Sequence, residues 1–347
     1  MSKWYEQVLP EKGSNFISSR IRLARNWNEY AFPESLDMQQ STELISRLTY
    51  GLDDINSVEN HIFRIMSLDK LGDVEKQALR DRRIMNQNMV MKKTPTGLML
   101  SENEDTSILL NGDDHIRLQL LAPGVQLGNL YVRANKYDDY VNSRFNYAFD
   151  EKYGYLTAFP TSVGTGMKAN IVMHLPTLAR TEESRAILEG LSRFGVSIRG
   201  VYAKAKTNYG SLYDISNAKT LGVSEKEIID LVTRVATQLN EQENKARQVE
   251  LDRRYIDAKD EAYRAYGMLK YCRKLELTTG LRLLSNLMTG VRDGLVEFEK
   301  PISIYALILA IQPSNILTLA HKPIEKNEQE VMRAELVRKN LPEIKEA

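Results

Sequence analysis

The sequence predicts an α+β fold: an antiparallel sheet flanked by helices, followed by an all-helical C-terminal domain. Three observations predict it. Short β-type runs recur from about Gly97 to Asn217, with turn residues between several of them. A long amphipathic pattern opens at Ser224. From about Tyr255 onward the chain reads as consecutive helices with short Gly- or Pro-bearing connections.

Each element has a local reason. The runs GLMLS, TSILL, HIRLQLL, YLTAF, ANIVMHLP, VSIRGVY and LYDIS are strand-like, and one helical segment over 181–194 interrupts them. That alternation suits an antiparallel sheet with helices on one face. In the next segment Ser224 and Glu227 form a capping box, and Ile228, Leu231, Val232, Val235 and Leu239 mark one helical stripe. EAYRAYGMLKYCRKL, TTGLRLLSNLMTGVRDGLV and ISIYALILAIQPSNIL follow as helices. A boundary near residue 250 separates residues 1–250 from the helical 251–347. Leu281, Leu284, Leu287, Met288 and Val291 share one face of the second helix, serving either a dimer contact or the domain's own core.

Composition bounds the function. The 347 residues are 42% hydrophobic and 27% charged, a globular balance. Net charge is +1, which gives no overall attraction to nucleic acid or anionic membrane. Cys272 is the single cysteine, so an internal disulfide and a cysteine-rich zinc site are excluded, as suits a reducing cytoplasm. No apolar run approaches the roughly 18 residues of a membrane span. The start, MSKWYEQVLPEKGS, lacks the apolar core of a signal peptide, so a cytoplasmic protein is expected.

The chemistry gathers in four stretches. LLNGDDHIRLQLL (109–121) sets an Asn-Gly pair between apolar runs, which reads first as a type I′ hairpin turn. SSRIRLARN (18–26) carries arginines at 20, 22 and 25; in a strand, Arg20 and Arg22 point to the same face. Two guanidinium forks side by side match phosphate oxygens better than lysines would. FPTSVGTGMKAN (159–170) is a Gly/Thr/Ser loop ahead of Lys168, and SIRGVYAKAKTNYG (197–210) carries Arg199 near a strand end. VGTG lacks the GK[ST] ending of a P-loop, and GTGMKA fails GxGxxG. The four histidines, at 61, 115, 174 and 321, show no metal-ligand spacing. Taken singly, an Arg-x-Arg reads as a solvated strand face and each glycine-rich loop as a loop.

Taken in order, SSRIRLARN, LLNGDDHIRLQ, PTSVGTGMKAN, RGVY with ISNAKTLGVSE, and MRAELVRKNL resemble the phosphagen (guanidino) kinases. They resemble most the bacterial protein arginine kinases of the McsB type, over about Ser14 to Asn340. The resemblance implies ATP with Mg2+, held without a P-loop by Ser18, Ser19, Arg20, Arg22, Arg117, Lys168 and Arg199. It assigns the catalytic carboxylate to Asp113, with Asp113, Phe159 and Lys204 at the substrate guanidinium. A guanidinium with pKa above about 12 is a poor nucleophile, so a carboxylate has to orient it and take its proton. The implied partners are protein substrates with exposed arginines, an activator protein, a Clp ATPase and a second copy in a homodimer.

Several positions depart from that pattern. Gly112 stands at the first acidic position, and Asp113 is one methylene shorter than the usual glutamate. Phe159 replaces a cysteine, and Lys168 replaces an arginine, losing the bidentate fork. The GEG segment reads Ala203-Lys204-Ala205, which puts a cation where a substrate-binding carboxylate belongs and invites a pairing of Lys204 with Asp113. Gln329 and Glu330 stand before Arg333-Ala334 where the family's phosphoarginine-sensing motif carries Arg-Asp. The runner-up reading is therefore a pseudokinase acting as a nucleotide-binding adaptor. A kinase for free arginine ranks third, because the N-terminal helical domain of those enzymes has no counterpart here.

Overall fold

The computed structural model describes residues 2–8, 14–59, 61–180, 190, 195–203 and 207–345, and the backbone of Lys204. The chain divides into two compact units: residues 1–4, 18–171 and 216–233 form the first, and 5–17, 172–215 and 234–347 the second.

In the first unit the strands lie in the order β2 (Phe63–Ser67), β3 (Gly97–Ser101), β4 (Thr106–Leu110), β5 (Ile116–Pro123), β1 (Phe16–Arg25), with β8 (Met167–His174) next to β1. From β2 to β1 every pairing is antiparallel. Register sets the faces: Arg22 lies opposite Gln119, and Ala24 opposite Arg117. Period two therefore puts Arg20, Arg22, Gln119 and Arg117 on one face. Ile21, Leu23, Arg25, Leu118 and Leu120 take the other, where Ile21, Leu23, Leu118 and Leu120 are buried. That apolar face meets α4 (Leu127–Asn142), which anchors it through the Arg25–Asp138 ion pair at 2.7 Å. α1 (Met38–Gly51) opens on a capping box between Asp37 and Gln40.

The arginine face is covered at its β3–β4 end. There Leu98, Leu100 and Leu109 pack against Leu79 of α2 (Asp73–Asp81) and Met89 and Val90 of α3 (Gln87–Met91). Helices thus flank both faces rather than the one face the pattern suggested. α2 and α3 are only 9 and 5 residues long, too short for a helical period to stand out in the sequence. The run YLTAF forms strand only at β7 (Gly154–Tyr155), paired with β6 (Phe149–Asp150). Beyond it, Asp114 takes the Ala158 N–H, so no ladder forms there.

In the second unit the end of β8, β12 (Leu212–Asn217) and β9 (Val196–Gly200) are neighbours in that order. β10 (Ala203–Lys204) and β11 (Thr207–Asn208) make a small ribbon. α5 (Glu225–Tyr271) starts at the expected capping box, with Glu227 N donating to Ser224 Oγ at 3.2 Å, and is broken at Arg254 by φ −140°, ψ 41°. α6 (Leu277–Arg292), α7 (Ile304–Ala310), α8 (Pro313–Ala320) and α9 (Lys326–Asn340) follow. Leu281, Leu284 and Leu287 are buried within the chain, so these three leucines of the α6 stripe pack this unit's core, while Met288 and Val291 are partly covered. The helix expected over 181–194 lies outside the described residues apart from Gly190.

Candidate active site

β4 and β5 pair up to Leu110 opposite Ile116, so residues 111–115 form the connection and the two-residue type I′ turn does not occur. Asn111 alone takes the left-handed conformation, φ 55°, and its N–H closes the loop on His115 O at 2.8 Å. Asparagine enters that conformation more readily than most residues, and its Nδ2 donates to Pro95 O at 2.8 Å. Gly112 answers to packing: a Cβ there would meet Leu109 Cδ2 at 2.5 Å.

The two aspartates of this loop are held in different ways. Asp114 is buried; its Oδ1 accepts from Asn26 Nδ2 at 2.8 Å and Ala158 N at 2.7 Å. Burial raises its pKa, against those two donors, which lower it. Asn26 also accepts the His115 N–H at 2.9 Å and donates to Leu156 O at 3.0 Å. One asparagine thereby ties the ends of the SSRIRLARN strand, the acidic loop and the segment leading to Phe159. His115 Nδ1 accepts the Trp27 N–H at 3.0 Å, which leaves Nε2–H to donate to Ala31 O at 2.8 Å. Burial pulls its pKa down to about 4, so the ring is neutral at pH 7.

Asp113 faces the other way. Its Oδ2 accepts from Asn86 Nδ2 at 2.7 Å and lies 3.7 Å from Arg117 Nη1. Asn86 is in turn fixed by capping α3, accepting the Met89 N–H at 3.0 Å. Lys92 Nζ donates to Asn111 O and Gly112 O, both at 2.6 Å, bracing the loop from beneath. Burial lowers the Lys92 pKa, while Asp113 and Glu34 oppose the shift.

Arg117 is buried, and burial lowers its pKa against the pull of Asp113 and Asp114. A guanidinium stays charged all the same. It makes one long bond, Nη2 to Ile84 O at 3.4 Å, and its Nε has no hydrogen-bond partner. Gln119 beside it donates to Arg83 O at 3.0 Å. Arg20 and Arg22 share this face, while Lys168, half-buried on β8, donates to Asn217 O. The orphaned Arg117 Nε and the register of the arginines fit a polyanionic phosphate chain; among the described residues no three His, Cys, Asp or Glu side chains gather as a metal site.

The structure brings Arg20, Arg22 and Arg117 to one face of β1–β5, with Asp113 beside Arg117. Ser18 and Ser19 are buried, and the Ser19 hydroxyl bonds Gly124 O at 2.7 Å and receives the Gln126 N–H at 2.9 Å. Arg25 is a brace rather than a clamp. Phe159 is exposed on the loop whose Ala158 N–H reaches Asp114. Arg199 is exposed on β9 of the second unit, and Lys204 lies in β10. The pairing of Lys204 with Asp113 concerns a side chain outside the described residues. Sequence reasoning missed Asn86 and Lys92, whose surroundings carry no motif, and Asn26, which stood inside a quoted motif as its last letter.

Comparisons with known proteins identify the family. Residues 46–246 match the model of the ATP:guanido phosphotransferase C-terminal catalytic domain. Residues 256–347 match the protein-arginine kinase McsB C-terminal domain. The chain is 34% identical over 343 residues to the protein-arginine kinase of Bacillus pumilus, covering 98% of this chain and 93% of that one. It is 33% identical to that of Halothermothrix orenii, covering 98% and 97%. Among solved structures, a lombricine kinase superposes with TM-score 0.57 at 20% identity, over 70% of this chain and 71% of that one. A duplicated taurocyamine kinase from Schistosoma mansoni, with bound transition-state-analogue components, gives TM-score 0.58 at 22% identity. That match covers 68% of this chain, which spans about a third of the longer enzyme, 34%. These two structures share the fold. The chain belongs to the protein-arginine kinase family, within the ATP:guanido phosphotransferases.

Proposed function

We propose that the chain transfers the γ-phosphoryl group of ATP to arginine side chains of proteins. The observation that carries the reading is the pairing of one carboxylate, Asp113, with a buried arginine, Arg117, that keeps donor capacity in reserve. ATP supplies the phosphoryl group and, with Mg2+ on its phosphates, the leaving group. Arg20, Arg22, Arg117, Lys168 and Arg199 hold the phosphates and offset their charge. Asp113 meets the substrate guanidinium through Oδ1, since both its protein contacts fall on Oδ2. It orients the attacking nitrogen and takes the proton released as the N–P bond forms. Ser18 and Ser19 support the arginine strand from within, and family likeness assigns Phe159 and Lys204 to the acceptor.

The cytoplasmic setting, the homodimer, the activator protein and the link to a Clp ATPase belong to the same proposal, resting on family likeness. So does a division near residue 250, supported by the helix break at Arg254 and the two match ranges. The pseudokinase reading draws on Gly112 and Lys204, which bring no carboxylate to the acceptor side. The test is incubation of the purified chain with Mg-ATP and an arginine-rich unfolded protein, followed by mass spectrometry for phosphoarginine. Formation of phosphoarginine supports the kinase. Retained nucleotide binding with none formed overturns it in favour of the adaptor.

A further inference from the structure

The second unit holds a cavity of about 470 Å3, within the range of roughly 300–1,000 Å3 typical of small-molecule sites. Phe16, Met288, Val291 and Ile302, each partly covered by the chain, form apolar walls. Two polar side chains on the walls, those of His174 and Ser303, are already bonded. His174 Nε2 lies 2.7 Å from Ser285 Oγ, while Ser303 Oγ donates to Tyr5 O at 2.6 Å and accepts the Ala306 N–H at 3.2 Å.

Arg292 differs from these two. Its side chain is 6% exposed; Nη1 donates to Asn15 and Nε to Asp293 at 3.2 Å, but Nη2 is buried with no hydrogen-bond partner. A buried donor left without an acceptor costs about 1–3 kcal/mol, so this atom marks a place where a ligand oxygen would be welcomed. Charge decides which kind of oxygen. Asp293 at 3.2 Å and Glu243 at 4.0 Å already offset the guanidinium, and Arg247 shares Asp293 at 2.6 Å. A further anion would lose its hydration with little charge left to meet it. A neutral acceptor loses less.

We propose that this cavity binds a neutral, mainly apolar small molecule that presents one carbonyl oxygen to Arg292 Nη2. None of its lining residues belongs to the set assigned to phosphoryl transfer. The test uses the full chain with isotope-labelled methionine methyl groups, the Met288 signal being identified from a Met288→Leu variant. Three probes of similar shape are titrated: acetophenone, ethylbenzene, which lacks the oxygen, and benzoate, which carries a charge. The expected result is a saturable Met288 shift with acetophenone, and binding about tenfold weaker for the other two. Val291→Trp and, at a second wall, Ile302→Trp fill the space and abolish the response. The absence of a saturable shift, equal responses to all three probes, tighter binding of benzoate, or undiminished binding in a folded filled variant each overturns the proposal.

Discussion

The two faces of the β1–β5 pair use arginine in opposite ways. On one face Arg25 has every arm occupied. Its Nε and Nη2 grip the Asp138 carboxylate, Nη1 donates to Ala24 O at 2.9 Å and Thr165 O at 3.1 Å, and the fork stacks 3.6 Å over Tyr155. On the other face Arg117 is nearly as buried, 8% against 3%, yet it holds one long hydrogen bond, a 3.7 Å ion pair and an unpartnered Nε. Burial alone therefore does not distinguish these two arginines. Saturation of the five donors does.

Substitutions on the two faces are expected to act differently. The largest effect is expected from Asp113→Asn, which removes the proton acceptor: phosphoarginine formation falls by roughly 10²–10⁴, with Mg-ADP affinity unchanged in calorimetry. Arg117→Ala weakens Mg-ADP at least tenfold by the same titration. Arg25→Ala, on the opposite face, instead destabilises the fold by about 3–5 kcal/mol in denaturant unfolding, because Asp138 is left without its partner. An Arg25→Ala protein as stable as the parent would end the distinction. Asn86→Ala lets Asp113 turn and costs about tenfold in turnover with nucleotide affinity preserved. Lys204→Glu restores a carboxylate and raises turnover modestly; an unchanged rate would mean that residue 204 does not meet the acceptor.

His115 provides the pH arm of the comparison. Its pKa is about 4 in the folded chain and about 6.5 when unfolded, so between those values the unfolded chain binds more protons. The stabilising contribution is complete above pH 6.5 and is lost as pH falls towards 4, about 3 kcal/mol in all. His174, also pushed down by burial, acts in the same direction. Unfolding free energy measured across that window should decline less steeply in His115→Gln than in the parent.

Legibility differed between the same two regions. The arginine strand could be read directly, because period two alone puts Arg20 and Arg22 on one face and register then adds Arg117. Arg25, in the same motif, falls outside the clamp because period two puts it on the opposite face. Only the fold shows what it meets there, α4 and Asp138. The acidic loop was found, but its Asn-Gly pair suggested a tighter turn than five residues held by Lys92 and Asn26 allow. Those braces come from distant parts of the chain, and nothing local announces them. The leucines of α6 posed an even choice between core and interface, and only tertiary packing decides such a stripe.

The most direct test of Asp113 as the proton acceptor runs the reaction backwards. Purified chain is mixed with a phosphoarginine-bearing protein and Mg-ADP, and ATP is followed by luminescence, in parallel with Asp113→Asn. The parent is expected to form ATP steadily and the variant almost none, with both binding Mg-ADP equally. Equal ATP formation by the two would contradict the role of Asp113. No ATP from a parent that binds both components would contradict the kinase itself.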